Sequence, residues 1–372
     1  MNEKMTLAVP CLFGLEGLAA DELKYMGMEN VRTETGRVLF TGGWEALVKA
    51  NLRLRCGERV ELLLGEFPAP DFDALFEGTR ALAWERFIPR DGEFPIRGHC
   101  LNSALHAVPA CQSIIKKAVA SRLGAKYGLG TLPETGSRYQ IRFTILNDRA
   151  ALYLDSSGPA LHKRGWRPNA NQAPLRETLS AAMVKLARYK GREIFCDPFC
   201  GSGTIAIEAA LAALNRAPGL GRRFAAESWR GPDKALWSRA REEARAAEYR
   251  GEYRIFASDI DPEALELARE NARRAGVEAY ITFSQADALA FTPPAEGRGV
   301  MVANPPYGER LLDVKQAEDL YRSLGRRFRR LEDWSLYLLT SDLDFEKCFG
   351  KKADKRRKVY NGMIQCQLYM YK

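Results

Sequence analysis

A side-chain amide, two prolines and a phenol stand together at Asn304-Pro305-Pro306-Tyr307. They follow the apolar run Gly299-Val300-Met301-Val302-Ala303, which reads as a buried strand. That strand must stop here, because proline has no ladder donor. In an open α/β sheet the carboxyl ends of the strands are where ligands bind. The Asn304 side chain offers one carbonyl acceptor and the Pro305 backbone a second. Two acceptors can hold both hydrogens of a planar amine and turn its lone pair towards an electrophile. Tyr307 can stack on the ring that carries the amine, and the prolines keep the turn rigid. The plainer reading of the same residues is a stiff turn between a strand and a helix.

Three acidic strand ends accompany it. Glu193 to Cys196 reads as a short strand, followed by Asp197-Pro198-Phe199-Cys200-Gly201-Ser202-Gly203-Thr204 and a helix from Ile205 to Leu214. The glycines let backbone approach a ligand at a helix N-terminus. No Lys follows the last glycine, so this is not a Walker loop, and it does not match Gly-x-Gly-x-x-Gly. Asp197 suits a positively charged group, and a sulfonium cofactor with an α-amino group has two positive centres. The next strand, Tyr253 to Ala257, closes with Ser258-Asp259-Ile260-Asp261. An acid ending the second strand of such a sheet binds ribose hydroxyls, which assigns Asp259 that role with Asp261 beside it. After the third strand, Ile281 to Phe283, comes Gln285-Ala286-Asp287-Ala288, where Asp287 can accept from an adenine amine. Each acid alone also fits a helix cap. Together Asp197, Asp259 and Asp287 describe a nucleoside cofactor, and Asn304 an amine substrate. Methyl transfer between the two needs no metal.

The bulk of the chain sets the limits. With 372 residues, two or three domains are expected. A formal charge of +9 permits a nucleic-acid partner. Eight scattered cysteines and three histidines favour free thiols in a reducing compartment over disulfides, zinc or histidine-based chemistry. No apolar stretch is long enough to span a membrane, and the first residues do not resemble a signal peptide, so the expected location is cytoplasmic. The sequence leaves the oligomeric state open.

The elements that carry this site follow a small β-α-β-β-α unit over residues 1–55, suggestive of a ferredoxin-like fold. A second region, 56–160, contains a helix from Ala110 to Tyr127 and two strands, Tyr139 to Leu146 and Ala150 to Asp155. Trp84 to Ile88 is read as the start of a strand. On the long helix Lys116 and Lys117 lie on a basic face able to meet phosphates. A hinge follows, Leu161-His162-Lys163-Arg164-Gly165-Trp166-Arg167, whose cations and aromatic ring suit a nucleic-acid strand. A helix then runs through Arg188, with Pro174 at its entrance. Near the C-terminus, Tyr321 to Arg330 reads as a basic helix without an acid. Lys351 to Lys358 reads as a basic loop that offers Lys355, Arg356 and Arg357 to phosphates.

These motifs resemble the THUMP-domain class I RNA methyltransferases, close to the bacterial 23S rRNA guanine-N2 enzymes. The resemblance is carried by Leu161 to Arg167, Ala173-Pro174-Leu175-Arg176-Glu177-Thr178, Asp197 to Thr204, Ser258 to Asp261 and Asn304 to Tyr307. It implies a C-terminal Rossmann-like α/β methyltransferase sheet over 161–372. An α+β region would precede it, ferredoxin-like over 1–55 and THUMP over 56–160. It implies S-adenosylmethionine as cofactor and rRNA as partner, free or within a ribosomal precursor particle. Carried over by motif, the cofactor set is Pro174, Arg176, Glu177, Thr178, Asp197, Phe199, Cys200, Gly201, Ser202, Gly203, Thr204, Asp259, Ile260, Asp261, Asp287, Ala288 and Asn304. The catalytic set is Asn304, Pro305, Pro306 and Tyr307. Adenine-N6 methyltransferases of DNA or RNA and glutamine-amide methyltransferases share the tetrapeptide. A non-catalytic RNA-binding assembly factor is the rival from another class.

Overall fold

The computed structural model describes residues 4–167, 175–231, 233–306 and 314–372. Pro174 and Tyr307 lie outside the described residues.

The first half builds one sheet. Its elements are β1 (Met5–Pro10), α1 (Glu16–Tyr25), β2 (Glu29–Glu34), β3 (Arg37–Gly42), α2 (Trp44–Arg53), β4 (Glu61–Pro68), α3 (Phe72–Ala81), β5 (Ile96–Leu101), α4 (Val108–Tyr127), β6 (Ile141–Leu146) and β7 (Arg149–Asp155). The strand order is β2-β3-β1-β4-β7-β6-β5. The two N-terminal units therefore share a continuous sheet. β4 joins them, pairing Leu62 with Leu7 of β1 on one side and running along β7 on the other. Alternation decides the faces: Ile141, Phe143 and Ile145 of β6 enter the main core, while Arg142 between them is partly exposed. Trp84 to Arg86 is a single 3-10 turn and not the start of a strand. Trp84 and Ile88, the two buried residues, are four apart, which is a helical spacing, and the buried indole donates to the Thr79 carbonyl at 2.7 Å.

The second half is an α/β sheet. It comprises α5 (Glu177–Leu186), β8 (Ile194–Asp197), α6 (Thr204–Ala213), α7 (Lys234–Ala246), β9 (Ile255–Asp259), α8 (Pro262–Arg274), β10 (Ile281–Gln285), β11 (Gly299–Ala303), α9 (Val314–Phe328), β12 (Trp334–Thr340), α10 (Phe345–Phe349), β13 (Lys355–Asn361) and β14 (Ile364–Tyr371). Its order is β10-β9-β8-β11-β12-β14-β13, with the first five strands parallel and β14 antiparallel to both its neighbours, β12 and β13. The chain moves outward from β8 to β10 and then returns to β11. The reversal falls between β8 and β11, the crevice where such sheets bind ligands.

Two C-terminal expectations need correcting. Lys355 to Lys358, read as loop, belong to β13, paired with β14 from Lys355↔Met370 to Asn361↔Ile364. β13 is an edge strand, and lysines there discourage pairing with another chain, so a basic run and a strand are compatible. The basic helix is the C-terminal part of α9, whose earlier turn supplies acids. Arg322 is held by Glu318 and Asp319.

The halves interlock. Phe224, Trp229 and Trp237, from the segment after α6 and from α7, join the N-terminal core, while Leu15 and Cys56 join the second core.

Candidate active site

Asp197 ends β8 and Asn304 follows β11, neighbouring parallel strands in register at Cys196↔Met301. Asp197 is 1 % exposed, and neither carboxylate oxygen has a hydrogen-bond partner. Burial pushes its pKa up to about 8, and the nearby charge of Asp259 adds to this. The backbone N–H groups of Phe199 and Ala206 favour the anion but do not reach hydrogen-bond geometry. The Asn304 side-chain oxygen is also buried without a partner. Buried acceptors left unpaired are costly and rare. Here two groups with that property flank one crevice, and both lack a donor.

The loop between β8 and α6 keeps the space clear. Gly201 and Gly203 have φ of 48° and 80°, a region that side chains rarely adopt. A Cβ on Gly203 would lie 3.0 Å from the Ala268 Cβ, so α8 packs directly on the loop. Nothing lies within 4 Å of the corresponding position on Gly201, which leaves that side open to a ligand. The Gly201 N–H donates to Asp259 at 2.8 Å, linking the loop to the end of β9. Asp259 also accepts from the Asp261 N–H at 3.1 Å. Asp261 and Asp287 each use one oxygen as a cap, on the N–H groups of Glu263 and Leu289. Ile260 is exposed, Ala288 is buried, and Phe199 packs into the core with Met301. Cys200 is buried, which raises its thiol pKa, and the Asn271 amide donates to the Ser202 carbonyl at 3.0 Å. Asp197, Asp259, Asp287 and Asn304 thus end or follow four adjacent parallel strands.

These observations fit S-adenosylmethionine. The unpartnered Asp197 carboxylate matches a cationic ligand end, and the open face of Gly201 leaves room beside it. Asp259 stands at the end of the second strand, where a ribose belongs.

The hinge is structural where it was expected to meet RNA. Arg164 is 3 % exposed, pairs with Glu208 of α6 at 3.1 Å and donates to the carbonyls of Arg55 and Leu161. Trp166 is buried in the second core. Neither can receive a nucleotide. Arg167 is nearly buried, hydrogen-bonds Thr204 at the start of α6 and lies 3.6 Å from Glu177. Its Nε is buried without a hydrogen-bond partner. Burial lowers the Arg167 pKa and raises that of Glu177. Arg176 and Thr178 are engaged by Glu58, which also holds His162 at 3.0 Å. The Thr178 hydroxyl is thereby turned away from a ligand role. Sequence reasoning missed Glu58. It missed Glu208 as well, although a lone carboxylate in the apolar helix Thr204–Ala213 signals a buried cation.

The other basic positions divide. Lys116 is bound by Glu134 at 2.6 Å and lies over the Phe94 ring, so it is not available to phosphate. Lys117, Lys163 and Lys355 are exposed. Arg356 lies 3.4 Å from Glu346, and Arg357 turns in to donate to the Gly14 carbonyl.

Comparison with known proteins settles the family. An RMKL-like methyltransferase domain matches residues 164–370, an RlmL ferredoxin-like domain residues 6–61, and a THUMP domain residues 69–155. The chain belongs to this methyltransferase family. It is 44% identical to the "Putative RNA methyltransferase YpsC" of Bacillus subtilis (strain 168), over 99% of this chain and 96% of that one. It is 38% identical to the ribosomal RNA large subunit methyltransferase K/L of Psychromonas ingrahamii, covering 98% of this chain but 50% of that protein. The chain spans about half the length of the K/L relatives it matches. Among solved structures, SMU.472, a "putative methyltransferase complexed with SAH", superposes with a TM-score of 0.94 at 40% identity, over 100% of this chain and 98% of that one. The protein is a class I methyltransferase, with ferredoxin-like and THUMP units before the catalytic sheet, and S-adenosylmethionine is its cofactor. Among the described residues no helix is long and apolar enough to cross a membrane.

Proposed function

We propose that the protein methylates an exocyclic base amine in RNA, most specifically guanine N2 of the large-subunit rRNA. The observation that carries this reading is the unpaired, buried Asn304 oxygen across the crevice from the unpaired Asp197. An amide oxygen in that position asks for an N–H donor. S-adenosylmethionine supplies an electrophilic methyl group, and Asp197, the Gly201 side of the loop and Asp259 would hold it. The target base leaves its stack at a cost of a few kcal/mol. Asn304 and the Pro305 carbonyl then take its two amine hydrogens and aim the nitrogen lone pair. Such alignment supplies roughly 7–11 kcal/mol of the barrier. The amine proton leaves to solvent after the transfer, while Asn304 only accepts a hydrogen bond, and no strong general base is required.

The RNA assignment is supported by the THUMP match and by the relatives named for RNA and ribosomal RNA. The formal charge of +9 agrees with it. Exposed Lys117, Lys163 and Lys355 are the residues of the basic set left free to meet phosphates. The guanine-N2 assignment rests on the K/L names and the tetrapeptide.

The test is Asn304→Ala. Turnover on unmodified rRNA should be abolished while S-adenosylhomocysteine binds within about twofold of wild type. Loss of cofactor binding in that variant would place Asn304 in the wrong half of the site.

A further inference from the structure

The strand register places a second feature on the catalytic edge. β12 runs parallel to β11, with Ala303 opposite Leu338. Its end, Thr340, is opposite Gln367 of β14, and Gln367 is opposite Lys358 of β13. The β13–β14 turn, from Asn361 to Ile364, therefore projects beyond the same edge as Asn304. Strands lie about 4.8 Å apart and rise about 3.3 Å per residue, so the turn stands roughly 10–15 Å to the side of Asn304 and about 13 Å further out along the strand direction.

That turn is apolar and exposed. Met363 is 98 % exposed, and Ile364 is also exposed. Tyr360 stands just before it, with the exposed Lys358 ammonium 5.5 Å from its ring centroid. The other wall comes from the N-terminal unit. The Phe13 ring, 51 % exposed, meets Tyr360 edge-on at 6.3 Å. The contact between the halves is close. A Cβ on Gly14 would lie 2.8 Å from the Lys358 carbonyl, and Arg357 donates to the Gly14 carbonyl at 3.1 Å. Phe13 and the turn are thus held as one surface. Met363 contributes nothing to a core, so packing does not explain it.

We propose that Phe13, Tyr360 and Met363, with Lys358 beside them, form a platform for the single-stranded RNA that flanks the target base. The inference rests on the RNA reading above and extends it to a named surface. Aromatic and apolar side chains beside a cation are what an unpaired strand recognises: rings and thioether meet base faces, and the ammonium meets a phosphate. A duplex hides its base faces and gains little here. The distance from Asn304 suits nucleotides beside the target better than the target itself.

The experiment measures binding of a short labelled single-stranded RNA of mixed sequence, and of its duplex, across a salt series. The proteins are full-length wild type, Met363→Ala, Phe13→Ala and Lys358→Gln, with S-adenosylhomocysteine affinity as a control of folding. Stacking losses of this kind weaken binding roughly 5- to 150-fold. Phe13→Ala should therefore bind single-stranded RNA several-fold to tens of fold more weakly, and Met363→Ala, which loses a thioether contact to a base ring, roughly 2- to 10-fold more weakly, with the salt slope and duplex binding unchanged. Met363 is so exposed that its truncation leaves the fold intact even if Phe13→Ala does not. Lys358→Gln should reduce the slope by about 0.7. Unchanged single-strand affinity in Met363→Ala would overturn the platform. So would an equal loss on duplex. Normal RNA binding combined with lost activity only on ribosomal particles would mean that the surface meets a protein instead. Wild-type protein that binds neither RNA form would remove the RNA reading itself, a result distinct from failure of the platform.

Discussion

Asp197→Asn tests the cofactor site through protons. The wild-type carboxyl is 1 % exposed, and burial raises its pKa from the ordinary 3.8 to about 8. The difference is about four pKa units. At 1.36 kcal/mol each, ionising this group in the ligand-free protein costs up to about 6 kcal/mol. An acid whose folded value is raised contributes stability that is complete below pH 3.8 and is lost as pH rises through about 8. The ligand-free protein should therefore lose stability on going from about pH 6 to pH 9, and Asp197→Asn should flatten that loss. A cationic ligand reverses the balance, because it needs the anion. Its binding below pH 8 should release a proton from Asp197, with affinity falling up to tenfold for each pH unit below that value. The assay is calorimetric titration of S-adenosylhomocysteine in buffers of different ionisation enthalpy, between about pH 6 and pH 9. The ligand's own amine titrates alike in both proteins, so the readout is wild type minus variant. Proton release in wild type that vanishes in Asp197→Asn supports the reasoning. Equal pH dependence in the two proteins would refute it.

Other perturbations reach different parts of the structure. Glu208→Ala strands the buried Arg164 guanidinium and should cost about 3–5 kcal/mol in urea unfolding, where a loss below about 1 would show the pair to be solvated. Arg167→Gln should weaken S-adenosylhomocysteine binding several-fold and leave RNA affinity unchanged, since Arg167 contacts Thr204 at the cofactor loop. The reverse pattern would return it to the RNA face. Lys117→Gln with Lys163→Gln should lower the salt slope of single-stranded RNA binding by about 1.4, as measured by titration across salt. Lys116→Gln should leave that slope unchanged, because Glu134 already holds the ammonium.

The placement of four polar residues at adjacent strand ends was legible because its signals are local. Asp197 and Asn304 each follow a buried apolar run, and Asp259 and Asp287 end or follow short strands whose buried residues alternate. The parallel order β10-β9-β8-β11 then brings them together. The hinge was not legible. Lys163, Arg164 and Arg167 share a charge and a segment, yet Arg164 is buried on Glu208, 44 residues away, while Lys163 is exposed. Charge type gives no information about a partner so distant in the chain. The Lys355 to Lys358 run misled for a related reason: a polar stretch reads as loop, whereas an edge strand favours lysine. β4 was missed as the element that fuses the two N-terminal units, since its pairing with β1 and β7 depends entirely on long-range contacts.

The central claim is methyl transfer to a base amine in RNA. Its most direct test supplies labelled S-adenosylmethionine with unmodified rRNA, duplex DNA and a protein extract in parallel, then digests each and identifies the methylated product by mass spectrometry. The account predicts N2-methylguanosine from the RNA, lost in Asn304→Ala. N6-methyladenine from the DNA, or methylglutamine from protein, would contradict it.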